Sequence, residues 1–116
     1  MKKKKVTDWS RIIAKQLVSW EGGPQGWAVL LVPRFRKGLL AKWLQPRLKK
    51  PFIKISLDEI GDFVWKKIDG KKHFSEIAGL MKSELGQKAE PVDERLQKFL
   101  IILSQNKFAE LLAPTE

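Results

Sequence analysis

The stretch "KISLDEIGDFVWKKIDGKKHFSEIAGLMKSELG", Lys54–Gly86, decides the fold. It opens on alternation. In Phe52-Ile53-Lys54-Ile55-Ser56, Ile53, Ile55 and Leu57 fall on one side and Phe52, Lys54 and Ser56 on the other, which predicts a strand over 52–56 with one face toward a core. The period then changes to that of a helix. Ile60, Phe63, Val64 and Ile68 form one stripe, which predicts a helix over 58–69. Ser56-x-x-Glu59 reads as a capping box with Asp58 as a second cap, and Gly70 as the terminating glycine. Ile77, Leu80, Met81 and Leu85 give a second helix over 75–85, stopped by Gly86.

Downstream, Pro91 is a favourable first-turn residue for a third helix over 91–106. Val92, Leu96, Phe99, Leu100 and Leu103 form its face. Ile101 and Ile102 widen that face beyond what a surface helix carries, so a second side is packed or awaits a partner. Phe108, Leu111 and Leu112 close the domain.

Upstream, Trp27–Val32 is apolar and β-branched enough for a buried strand, and Glu21–Gly26 holds three glycines and a proline. Together they predict a hairpin over 17–32. Trp9, Ile12, Ile13 and Leu17 fall at helical spacing, with Thr7 or Asp8 as cap; an extended arm is the rival reading. The segment 33–51 reads as an irregular basic connection. Leu39, Leu40 and Trp43 pin it to the body, and Pro46 and Pro51 interrupt it. Residues 1–15 read as a basic, partly disordered arm and 16–113 as the domain. Three strands followed by three helices in so short a chain predict an α+β, winged-helix-like fold.

The 116 residues carry a net charge of +10, divided unevenly. Residues 1–56 hold 14 Lys and Arg against two acids, a net of +12; residues 57–116 hold nine against eleven, a net of −2. This asymmetry points to an acidic or polyanionic partner for the first half.

The residue types for most catalytic chemistry are missing. There is no cysteine and one histidine, His73, so no metal set can be completed from these residue types. The serines lack a nucleophile-elbow context, and Gly22–Gly26 lacks the spacing and the Gly-Lys-Ser/Thr of a phosphate loop. Asp58, Glu59 and Asp62 read as charge complementing a helix N-terminus. Neither an enzyme nor a cofactor is expected. The longest apolar run, Trp27–Val32, is far too short to span a bilayer, and no signal peptide is evident. A cytoplasmic protein is expected.

The order strand, Leu57-Asp58-Glu59, Trp65, Asp69-Gly70, Glu76-Ile77-Ala78, then a last helix with Phe99-Leu100, resembles the PqqD family. These are peptide-binding chaperones of pyrroloquinoline quinone synthesis, whose fold is reused as a recognition element for ribosomal peptide precursors. The resemblance covers roughly residues 52–112 and extends loosely to the hairpin. Two positions depart from compact members: Asp58 stands where Asn is usual, and His73 where Thr usually starts the second helix. The connection Phe35–Pro51 is also long.

The resemblance implies capture of a leader peptide by strand addition beside Phe52–Ser56, in a groove toward the third helix, and presentation to a peptide-modifying enzyme such as a radical SAM protein. It implies Phe52, Ile53, Lys54, Ile55, Ser56, Arg95, Lys98, Phe99 and Ile102 as peptide-binding residues. Lys54, Arg95 and Lys98 would attract acidic side chains; Phe99, Ile101 and Ile102 would take apolar anchors. An exposed strand edge would also permit a homodimer. The alternative is a nucleic-acid-binding winged helix using the basic first half, although the late helices are not basic. A third reading takes 35–48 as an interfacial segment for an anionic membrane or a larger protein.

Overall fold

Helix α1 (Glu59–Lys67) begins where Asp58 caps it: Asp58 Oδ1 accepts the N–H of Gly61 at 2.8 Å. The carboxylate so satisfies an N–H that the first turn leaves without an intrahelical partner. Asp58, the second of the two expected caps, therefore takes that role. The computed structural model describes residues 9–33 and 52–113. The readings made on 1–8 and on 34–51, including the basic connection and its interfacial segment, lie outside the described residues.

Among the described residues the class is α+β: six strands in two antiparallel three-stranded sheets, and three helices. The chain divides into two compact units, Met1–Leu17 with Phe63–Glu116, and Val18–Asp62.

Unit Val18–Asp62 holds β2 (Ser19–Gly22), β3 (Ala28–Pro33) and β4 (Phe52–Ser56), in the order β2-β3-β4. The expected hairpin is β2 and β3. Its loop closes through the Gly23 N–H on the Trp27 carbonyl at 2.8 Å and the Gly26 N–H on the Gly23 carbonyl at 2.9 Å. Gly26 has φ +86, where a side chain would be strained. The central strand is the apolar one: Ala28, Val29, Leu30 and Val32 are buried.

The other unit holds β1 (Ile13–Gln16), β5 (Asp69–His73) and β6 (Ala109–Leu112), in the order β5-β1-β6. With them are α2 (Phe74–Glu84) and α3 (Val92–Gln105). Its core comes from Val64, Trp65, Ile68, Ile77, Met81, Val92, Leu96, Leu100 and Leu103, all essentially buried. Helix α2 packs against a short 3-10 turn at Trp9–Arg11, where the Trp9 and Phe74 rings meet edge to face with centroids 5.8 Å apart.

These strands correct the expected count of three. The helical reading of 7–17 gives way, among its described residues, to the 3-10 turn and then β1. Pairing on both sides, Ile13 opposite His73 and Leu112, outweighs a weak apolar period. Gly70 is likewise not a helix terminator. The helix ends at Lys67, and Gly70 lies within β5 at φ +83, where a Cβ would stand 3.3 Å from Lys15 Cβ. The register of β1 against β5 slips between Ile13 and Lys15, and the glycine sits in that irregularity. Gly86, by contrast, does stop α2: it follows the C-cap Leu85 at φ +64.

Candidate functional site at a strand edge

The expected site residues fall in two groups. Phe52–Ser56 form β4, an outer strand of its sheet, paired with β3 and with no second partner strand among the described residues. Arg95, Lys98, Phe99 and Ile102 recur at three- and four-residue spacing on α3, away from the buried stripe Val92, Leu96, Leu100 and Leu103. The groups belong to different units.

The register of β3 against β4 determines which backbone groups of β4 are available. Partners are Val29 with Ser56, Leu30 with Ile55, Leu31 with Lys54, Val32 with Ile53 and Pro33 with Phe52. Beyond the strand, the Leu57 N–H donates to the Ala28 carbonyl at 3.0 Å, the next pair in the same register. Antiparallel pairs alternate between bonded and non-bonded. Ile55 and Ile53 therefore direct their N–H and C=O toward β3, while Ser56, Lys54 and Phe52 direct theirs outward. Pro33, which has no N–H, falls in a non-bonded pair with Phe52, where no donor toward β4 is missed.

Side chains follow the same parity. Ile53 and Ile55 share a face with Val32 and Leu30, the face on which Leu30 is wholly buried. Ile53 is nonetheless 45% exposed and Phe52 43%. Lys54 lies on the other face, where its Nζ stands 3.2 Å from Glu21 Oε2 of β2. The pair spans β3 and is open to water, so it contributes well under about 1 kcal/mol. It leaves Lys54 able to exchange partners.

On α3, Ile102 is 52% exposed, Phe99 half-buried and Lys98 exposed. Arg95 is committed elsewhere. Its Nη1 donates to the Lys88 carbonyl at 2.9 Å and reaches the Glu90 carbonyl at 3.5 Å, bracing the 3-10 turn Gly86–Ala89 and the segment before the helix. Trp65, prominent in the motif, is a core residue, fully buried. His73 is the N-cap of α2, where the Glu76 carboxylate accepts its backbone N–H at 2.9 Å. Sequence reasoning missed the role of Asp62, whose Oδ1 accepts the Ala28 N–H at 2.8 Å. Its place in an acidic cluster gave no hint of that bond.

Among the described residues there is no group of three or more His, Cys, Asp or Glu placed to hold a metal ion. No helix among them is long and apolar enough to cross a membrane.

Residues 54–109, from within β4 to the first residue of β6, match the family model of coenzyme PQQ synthesis protein D, PqqD. The matched stretch is PqqD-like. Comparison with curated proteins and with solved structures gave no match. PqqD family proteins are peptide-binding chaperones, non-catalytic accessories to the enzymes that modify the peptide. The nucleic-acid alternative finds no support. The acids Glu76 and Glu84 offset Lys82 on PqqD-like helix α2, and the one arginine of α3 is spent on backbone carbonyls.

Proposed function

We propose that the chain captures an extended leader peptide at the outer edge of β4 and presents it, in the cytoplasm, to a peptide-modifying enzyme. The observation that carries this reading is the parity of β4: Phe52, Lys54 and Ser56 each offer an outward N–H and C=O. A peptide backbone laid alongside would bond to these groups, while nearby side chains choose the sequence. The family match supports the reading. Lys98, Phe99 and Ile102 on α3 are proposed as further contacts for peptide side chains. Arg95 is retained with them only as a support for the helix start.

The test is a proline at an outward position. Ser56→Pro removes one outward N–H and leaves the bonds to β3 intact, since proline is tolerated on an edge strand with its nitrogen facing out. A panel of precursor leader peptides is titrated by fluorescence anisotropy against the wild type and Ser56→Pro. Binding to the wild type at micromolar affinity, lost in a variant that keeps its circular dichroism and melting temperature, is the expected result. Equal binding to both, or no binding across the panel, overturns the reading.

A further inference from the structure

The register of β4 also restricts which peptide fits. We infer that the edge selects a short strand of alternating pattern, apolar–acidic–apolar, with the acid opposite Lys54; this rests on the proposed strand addition.

A residue bonded directly opposite Lys54 shares its face. That face already carries the diagonal pair Glu21–Lys54, with Nζ to Oε2 at 3.2 Å and both side chains well exposed. Lys54 so has a carboxylate on its inner side, from β2, and its outer side adjoins the edge that has no partner strand among the described residues. An acidic residue there would share the ammonium with Glu21. A lysine there would meet a like charge, which is destabilising when directly opposite. The charge of +12 on residues 1–56 acts in the same direction.

The two flanking peptide residues fall on the opposite face, with Ile53 and Ile55. There the sheet is apolar across its width: Trp20 is opposite Leu30, and Leu30 opposite Ile55. The exposure of Ile53, 45%, is apolar surface that a flanking branched side chain would cover. Because the pattern is symmetric about its acid, it fits whichever way the peptide runs.

The experiment uses the full chain and three labelled peptides with the cores Ser-Val-Glu-Val-Ser, Ser-Val-Gln-Val-Ser and Ser-Val-Lys-Val-Ser, whose side-chain order reads the same in both directions. The Glu core is expected to bind on the order of threefold tighter than Gln and about tenfold tighter than Lys, the range for exposed cross-strand charge pairs. Lys54→Glu should invert the order. Glu21→Gln should strengthen binding of the Glu core about twofold, because Lys54 loses its internal competitor. If all three cores bind equally and Ser56→Pro still abolishes binding, the acidic specificity is wrong while strand addition stands. If none binds, both fall.

Discussion

Asp62 Oδ1 accepts the backbone N–H of Ala28 at 2.8 Å, while the Ala28 carbonyl accepts the N–H of Leu57 at 3.0 Å. Ala28 begins the central strand of its sheet and is wholly buried. By the parity of the sheet its N–H faces β4, but a helix carboxylate rather than a strand carbonyl takes it. The bond joins α1 to the start of β3 and fixes where the pairing of β3 with β4 ends. Asp62→Ala leaves a buried donor without its partner and should cost about 1–3 kcal/mol in urea unfolding, with Asp62→Asn costing less.

Lys107 is a non-glycine residue at φ +62, the position after the C-cap of α3. The Phe108 N–H bonds to the Leu103 carbonyl at 2.8 Å and the Lys107 N–H to the Ser104 carbonyl at 3.0 Å, the pattern of a Schellman motif. A lysine there carries the left-handed strain that glycine avoids. Lys107→Gly should raise stability by roughly 1 kcal/mol despite the looser unfolded chain. Chemical denaturation measures it.

Two glycines separate backbone strain from helix propensity. Gly70 has φ +83 and little room beside Lys15, so Gly70→Ala should destabilise by about 1–2 kcal/mol. Gly79 lies within α2 with nothing within 4 Å of an added Cβ. Gly79→Ala should stabilise by about 0.5–1 kcal/mol. Parallel thermal melts of the two variants should therefore shift in opposite directions.

Asp69 should give the acid end of the stability profile a distinct slope. Its carboxyl is held down at about 2 from an ordinary 3.8, first by the Lys71 backbone N–H and then by the Lys72 ammonium, which lies 3.0 Å from Oδ2. A lowered folded-state value means the contribution is complete above about 3.8 and is lost as pH falls toward 2. Solvent screening at this exposed turn limits it to less than about 1 kcal/mol. The stability difference between wild type and Asp69→Asn should shrink between those two pH values, as unfolding at each pH will show.

The helices were legible because each carries its own punctuation. Asp58 caps α1, Gly86 ends α2, and Pro91 precedes α3; their apolar stripes are long enough to define a face. Strands β1, β5 and β6 were not legible. Asp69–His73 has no apolar alternation and Ala109–Leu112 is four residues long, so only their pairing with Ile13–Gln16 makes them strands. The edge strand β4 showed in the alternation of Phe52–Ser56. Which of its amides face outward depends on its register against β3, a non-local fact. For Arg95, nothing in composition indicates that the carbonyls of Lys88 and Glu90 lie within its reach.

Hydrogen exchange of individual β4 amides, with and without saturating Ser-Val-Glu-Val-Ser peptide, tests strand addition most directly. The account predicts that Lys54 and Ser56 become protected on binding, while Ile53 and Ile55, already bonded to β3, change little. Peptide binding that leaves Lys54 and Ser56 exchanging as fast as in the free chain would contradict it.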